Sequence, residues 1–182
     1  MFVLGLCGSL RRGSYNRRLL GAATVELPPD ATLEVFDGLG DIPPYNEDIA
    51  APAVVLALRI AVTAADAILI ATPEYNGSVP GHLKNALDWA SRPFPANSLR
   101  DKPVAVMGAS TGLFGAVWAQ AELRKVLRTI GARVLEAELP VGQAHEAFTA
   151  DGGLADADLR LSLANLVAQL LRETRGRVEQ TV

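Results

Sequence analysis

The amino-acid sequence predicts an α/β protein in which helices cover both faces of a five-stranded parallel sheet. Three observations support this fold class. Five short apolar segments alternate along the chain with segments that have the 3.6-residue periodicity of amphipathic helices. Two of the short segments are apolar on both faces, as strands between two layers of helices must be. The chain has 182 residues, so we expect one domain over residues 1–182.

The strands can be placed in chain order. Alternation of polar and apolar residues at 32–36 is typical of an edge strand, whereas continuous apolar character at 67–71 and 104–107 indicates central strands. The five predicted strands are residues 2–7, 32–36, 67–71, 104–107 and 134–139. Five strands with intervening helices favour the doubly wound order 2-1-3-4-5.

Each predicted helix has a recognisable apolar face. The first is expected to begin near Asn16, the third carries Pro80 in its first turn, and the fourth ends at Gly131. The apolar faces are Leu19, Leu20, Ala23 and Leu27; then Leu58, Ala61, Val62 and Ala65; then Leu83, Ala86, Leu87 and Ala90; then Val117, Ala121, Val126, Leu127 and Ile130; and last Leu159, Leu163, Leu166, Val167, Leu170 and Leu171.

Composition excludes several classes of function. A net charge of −3 provides no basic surface for a nucleic acid. One cysteine and two histidines argue against disulfides and zinc sites, so we expect no metal. The longest uncharged run, residues 103–121, contains too many polar residues and glycines for a membrane span, and the first residues lack the order of a signal peptide. We therefore expect a cytoplasmic protein with no membrane contact.

Ligands of such sheets bind at the carboxyl ends of the strands, where three loops are informative. The loop at 8–16 provides the hydroxyls of Ser9 and Ser14, the amide of Asn16, two arginines, and a helix N-terminus. These groups suit a phosphate monoester, although a capped turn with solvated arginines would have the same residues. Neither a P-loop nor a G-x-G-x-x-G dinucleotide turn is present.

The second and third loops offer room for a planar ring. Two prolines and two glycines at 72–81 enclose Glu74, Tyr75 and Asn76, and this rigid path would suit a heterocycle with polar edges or a plain connector. The loop at 108–115 is small and rich in glycine. Cys7 ends a buried strand and is interpreted as structural, and no histidine lies near Ser9 or Ser14 to form a hydrolase site.

These loops resemble those of the NAD(P)H-dependent FMN reductases, which include quinone and chromate reductases of flavodoxin-like fold. The resemblance rests on residues 8–16 and on the long motif at 73–89, which reads PEYNGSVPGHLKNALDW. Residues 39–48 and 108–112 support it. The matching segments keep the family's order and cover most of the chain as far as Leu127.

The resemblance implies a noncovalently bound FMN, with NADPH or NADH as co-substrate. It assigns the FMN phosphate to one group of residues, Ser9, Arg11, Ser14 and Asn16. It assigns the flavin ring to a second group, Pro73, Glu74, Tyr75, Asn76, Ser78, Ser110, Thr111 and Gly112. A hydride then passes from nicotinamide to flavin, and two electrons pass to a quinone, flavin, azo compound or metal oxyanion. No catalytic side chain is implied.

Two positions depart from the family pattern. Gly77 stands where relatives often carry a larger residue, and Ala116 stands where many have a second glycine. The first change leaves the outer face of the flavin more open. The second is expected to affect only helix packing.

Other classes of function and the oligomeric state remain open at this level. A flavodoxin-type one-electron carrier and a non-redox flavin-binding module would share the fold. Trp89 lies off the apolar face of its helix, so it either packs under a loop or anchors a subunit contact, and Trp118 poses the same question. We predict a homodimer or a dimer of dimers, with Trp89 at the interface.

Overall fold

A computed structural model describes residues 1–175 of the protein, so the last residues of the predicted domain, 176–182, lie outside the described part. The strands are β1 (Phe2–Cys7), β2 (Thr32–Val35), β3 (Ala67–Thr72), β4 (Pro103–Ala109) and β5 (Arg133–Val141). All pairings are parallel and the order is β2-β1-β3-β4-β5. The predicted fold class and strand order are confirmed.

The register of the sheet brings the carboxyl ends of the central strands together. Cys7 of β1 pairs with Ala71 of β3, and Thr72 of β3 pairs with Gly108 of β4. Gly108 is required here because a Cβ atom on it would lie 2.7 Å from the Thr72 carbonyl oxygen. The three loops that follow these strands therefore leave the sheet side by side.

Helices form a layer on each face of the sheet. They are α1 (Tyr15–Val25), α2 (Ala53–Ala64), α3 (Gly81–Ala90), α4 (Val117–Ile130) and α5 (Ala157–Arg175), and a short 3-10 helix spans Gly38–Asp41. The α1 and α5 helices bury their apolar faces in one core, and α2, α3 and α4 bury theirs in the other. Every residue of β3 and β4 is buried, as their continuous apolar character predicted.

Two helices differ from their predicted patterns. Helix α1 begins at Tyr15 with Ser14 as its N-cap, which agrees with the predicted start near Asn16, but it ends at Val25, before the predicted face residue Leu27. In α4 the buried residues are Ala119, Gln120, Leu123, Leu127 and Ile130, whereas Ala121 is exposed. At about 100° per residue, positions 121 and 123 point roughly 160° apart, so both cannot face the sheet.

His82 in α3 is partly buried. Its Nε2 atom is enclosed and has no hydrogen-bond partner among residues 1–175. Burial lowers the pKa of this imidazole, so the neutral form is favoured.

The backbone is strained at the residue that precedes α4. Ala116 precedes the helix with φ 61° and ψ 33°, in the left-handed region, where a side chain costs about 1–2 kcal/mol. A glycine at this position would therefore relieve backbone strain, whereas the expectation from the sequence was an effect on helix packing only.

We expect Ala116→Gly to keep the free energy of unfolding unchanged or to raise it by up to about 1 kcal/mol. Ala119→Gly, in the regular part of the same helix, should lower it by about 1 kcal/mol or more. Urea unfolding of both variants measures the difference, and equal losses would contradict the strain.

Candidate functional site

A cleft lies where the three loops meet at the carboxyl ends of the strands. It has a volume of about 100 Å³. One water occupies roughly 30 Å³ of liquid, so the cleft suits a group the size of a phosphate, with any larger part of a ligand lying outside. Its lining residues are Ser9, Arg11, Ser14, Tyr15, Asn16, Pro73, Glu74, Tyr75, Ala109, Ser110 and Thr111.

The first loop and the start of α1 provide donors for an anion. The Ser14 hydroxyl caps the helix by accepting the Arg17 N–H at 3.1 Å. The N–H groups of Tyr15 and Asn16, in the same turn, have no hydrogen-bond partner within residues 1–175. Arg11 is exposed and has no ion-pair partner in that range. Unpaired donors at the positive end of a helix favour a negatively charged ligand.

Asn16 joins the first loop to the end of β4. Its Nδ2 atom donates to the Ala109 carbonyl at 2.9 Å, and its Oδ1 atom accepts the Ala109 N–H at 2.9 Å. The side chain is buried, with 2% of the residue exposed. Only the second hydrogen of Nδ2 and the backbone N–H of Asn16 are left for a ligand.

The second loop forms a two-residue β-hairpin. Tyr75 and Ser78 exchange both backbone hydrogen bonds at 3.1 Å, and Asn76 and Gly77 between them have φ values of 54° and 74°. Positive φ at both positions is the signature of a type I′ turn, for which Asn-Gly is the preferred pair. This turn explains Gly77. The hairpin leaves Tyr75 46% exposed beside the cleft.

Two polar side chains of this loop point toward α4. Glu74 Oε2 accepts the N–H groups of Trp118 at 3.0 Å and of Ala119 at 3.1 Å. The Ser78 hydroxyl donates to Glu122 Oε2 at 2.6 Å. Any contact of Glu74 with a ring in the cleft therefore relies on its backbone and side-chain carbons.

The third loop is held by the segment that follows β5. Ser110 donates its N–H to the Val141 carbonyl at 3.1 Å, and its own carbonyl accepts the Ala144 N–H at 2.9 Å. Gly112 accepts the Gln143 N–H at 2.9 Å. No sequence motif marks this supporting segment, because its contribution comes from backbone atoms that any residue type carries.

The predicted site residues fall into two sets. Nine line the cleft: Ser9, Arg11, Ser14, Asn16, Pro73, Glu74, Tyr75, Ser110 and Thr111. Three adjoin it without lining it: Asn76, Ser78 and Gly112. Tyr15 and Ala109 also line the cleft and were missed. An Ala at a strand end carries no chemical signal, whereas Tyr15 lies inside the loop motif.

The prediction that Trp89 anchors a subunit contact is wrong. Trp89 is 3% exposed, its Nε1 donates to the Pro43 carbonyl at 2.9 Å, and the ring of Tyr45 packs edge-on at 5.0 Å. The loop before α2 therefore covers it. In that loop, hydrogen bonds from Tyr45 and Arg92 lower the pKa of Glu47.

Trp118, in contrast, is 53% exposed and packs edge-on against the exposed Phe114 at 5.2 Å. Phe114 lies in the third loop, and Trp118 lies in the first turn of α4, which follows that loop.

Among residues 1–175, no helix is both long and apolar enough to cross a membrane. The same residues contain no group of three or more His, Cys, Asp or Glu side chains placed to hold a metal ion.

The first loop has a predicted role in binding phosphate and an observed role in holding the end of β4 through Asn16. The second role can be tested in the apoprotein, without any ligand. Asn16→Ala removes two hydrogen bonds to the buried backbone of Ala109, so we expect the apoprotein to lose about 1–3 kcal/mol of unfolding free energy. Ser9→Ala should change it by less than about 0.5 kcal/mol, because the Ser9 hydroxyl has no hydrogen-bond partner among residues 1–175. Urea unfolding provides the measurement, and a small loss in Asn16→Ala would show that the Ala109 contacts contribute little.

Comparison with known proteins identifies the relatives of this chain. The family model described as NADPH-dependent FMN reductase matches residues 1–146. A NAD(P)H-dependent FMN reductase of Pseudomonas aeruginosa is 46% identical over 162 residues, which cover 87% of this chain and 86% of that protein. A 2-hydroxy-1,4-benzoquinone reductase from a Burkholderia species is 36% identical, and the alignment covers 93% of this chain and 94% of that protein.

A solved structure agrees with these relatives. The flavoenzyme NAD(P)H:(acceptor) oxidoreductase from Paracoccus denitrificans superposes with a TM-score of 0.86 at 37% sequence identity. The alignment covers 96% of this chain and 97% of that one. The chain therefore belongs to the NADPH-dependent FMN reductase family, which confirms the family and the oxidoreductase class that its motifs predict.

Proposed function

We propose that this protein is an FMN-dependent NAD(P)H oxidoreductase that delivers two electrons to a quinone. The observation that carries the proposal is the group of unpaired donors at the start of α1, next to the hairpin at 75–78 and the third loop. Relatives named FMN reductase and quinone reductase support the same activity.

The donor set fits the phosphate end of FMN. A monoester dianion needs several hydrogen bonds and positive charge within one small cleft. Arg11, the hydroxyls of Ser9 and Ser14, and the N–H groups of Tyr15 and Asn16 satisfy that need. The absence of a G-x-G-x-x-G turn from the sequence makes a bridging pyrophosphate a poorer fit.

The flavin ring is proposed to lie over the second and third loops. Residues 73–76 with Ser78 would border one part of it, and residues 110–112 would border another. The backbone N–H groups of Glu74 and Thr111 have no partner within the described chain, which leaves them free for the polar edge of a ring. Tyr75 offers an exposed aromatic face.

When bound, FMN supplies the redox chemistry by accepting a hydride from the nicotinamide and passing two electrons to the acceptor. The chain's own residues bind and orient it. Glu74 is the one carboxylate in the lining, and two N–H groups of α4 already hold it. The lining therefore contains no carboxylate that is free to act as a proton donor or acceptor in the reaction.

The activity is tested by steady-state turnover of the purified holoprotein with NADPH and NADH against quinones, free flavin, an azo dye and chromate. We expect quinone reduction with at least one pyridine nucleotide. A one-electron carrier would bind FMN without reducing quinones at the expense of NAD(P)H, and a non-redox module would show no turnover at all. The co-substrate also motivates the proposed cytoplasmic location, where NAD(P)H is available.

We expect about one FMN per chain, held noncovalently within the single proposed domain. Acid precipitation should release the flavin, and chromatography identifies it. Recovery of FAD as the native flavin would contradict the monoester fit, as would failure of the apoprotein to take up FMN.

Arg11→Ala should weaken FMN binding by roughly 10- to 150-fold, since a charge-assisted hydrogen bond contributes about 1.5–3 kcal/mol. Arg12→Ala is the matched control, because Arg12 is exposed and does not line the cleft. Titration of the apoprotein with FMN by flavin fluorescence measures both. Equal and small losses would show that both arginines are only solvated.

We also propose a homodimer, or a dimer of dimers, whose interface includes Trp118 and not Trp89. Leu113, Phe114 and Trp118 form an exposed apolar group beside the cleft, and aromatic residues are enriched at the centres of interfaces. A partner on this surface would also enclose the acceptor side of the proposed flavin.

Light scattering after size exclusion should then give at least twice the 19.2 kDa chain mass. Trp118→Glu should shift the protein toward monomer and lower its turnover. Leu161→Glu is the control, because Leu161 is 62% exposed on α5, in the opposite helix layer. A fully active monomer of the wild type would refute the proposal.

A further inference from the structure

The hairpin at 75–78 is attached to α4 at two points. Glu74, immediately before the hairpin, accepts two N–H groups from the first turn of the helix. Ser78, at the other end, donates its hydroxyl to Glu122 at 2.6 Å. The two carboxylates thus hold opposite ends of the hairpin against one and the same helix.

The first attachment is needed by the helix itself. Its N-cap residue, Ala116, has no side chain that can accept a hydrogen bond. Trp118 and Ala119 occupy the second and third helical positions, whose N–H groups an N-cap side chain normally satisfies. Glu74 takes over this role from a distant loop, and the positive end of the helix favours its charge.

The second attachment is needed by the hairpin. A two-residue turn closed by one pair of residues is at best marginal without further packing. Apart from its two chain neighbours, no residue of the described chain, 1–175, has an atom within 4 Å of the Cβ position of Gly77, so nothing there packs against that side of the turn. The Ser78 hydrogen bond therefore gives the hairpin a second point of contact with α4.

We propose that Glu122 is a positioning residue for the loop assigned to the flavin ring, acting through Ser78. Together with Glu74 it fixes the hairpin, and thereby Tyr75, relative to the cleft. Glu122 is exposed and does not line the cleft, so its effect on a ligand must pass through this hydrogen bond. The role of the hairpin toward flavin rests on the proposed function, whereas its attachment to α4 does not.

The attachment is tested first in the apoprotein by amide hydrogen exchange. Glu122→Ala should accelerate exchange of the Tyr75 and Ser78 amides by roughly 3- to 10-fold, because loss of the hydrogen bond makes local opening easier. Glu136→Ala is the matched control, since it removes an exposed carboxylate that instead pairs with Arg128 on α4. Unchanged exchange in Glu122→Ala would overturn the proposal.

The consequence for the cofactor is tested in the holoprotein. Glu122→Ala should weaken FMN binding by roughly 3- to 10-fold and raise KM for benzoquinone more than it lowers kcat. Glu122→Gln keeps an acceptor oxygen for the Ser78 hydroxyl and should restore most of both values. FMN binding and KM equal to wild type in Glu122→Ala would overturn the positioning role.

Ser78→Ala gives an independent route to the same test. If Glu122 acts through Ser78, the double variant Ser78→Ala with Glu122→Ala should be no worse than either single variant. Additive losses would overturn the proposal, and Ser78→Ala alone carries the exchange test if Glu122→Ala does not fold. Faster exchange in a protein that binds no FMN would instead reject the proposed function and leave the attachment to α4 supported.

Discussion

The two hydrogen bonds between Asn16 and Ala109 fix the geometry on which the candidate site depends. Asn16 follows β1 and Ala109 ends β4, and in the sheet these strands are separated by β3. One buried amide therefore spans the end of β3 and sets the distance between the first and third loops. Because both Ala109 groups are buried polar atoms, a different spacing of the two loops would lose two buried hydrogen bonds.

The loop between those two is fixed in a different way. The second loop leaves β3 toward α4. The Glu74 carboxylate accepts N–H groups at the positive end of that helix, and this electrostatic attraction holds the loop against α4. The N-termini of α1 and α4 therefore differ. The first N–H groups of α1 remain open to an anion, whereas those of α4 are bound by the Glu74 side chain. This difference supports the proposal that an anion binds at the α1 end of the cleft and uncharged parts of a ligand at the other.

Sequence patterns predicted the strands well and the helix faces unevenly. Strands 67–71 and 104–107 were identified because their residues are apolar on both faces, and few other elements have this property. In α4 the apolar residues are spread around much of the helix, so the pattern selected Ala121 where Leu123 is the buried residue. Trp89 was misjudged for a different reason. Its position off the apolar face of α3 was interpreted as a subunit contact, but residues 43–45 of a loop distant in sequence cover it.

The sequence by itself determined the fold class, the strand order, the three loops that carry the site, and the family. These properties follow from local hydrophobic periodicity and from short contiguous motifs, which are readable along the chain. Only the tertiary structure decided what individual side chains do within those loops. Glu74 caps a helix that begins 43 residues later, Ser78 binds Glu122, and Asn16 binds the backbone of Ala109. Each of these hydrogen bonds joins residues far apart in sequence, and only the packing of the sheet and its helices determines which distant groups come within 3 Å of each other.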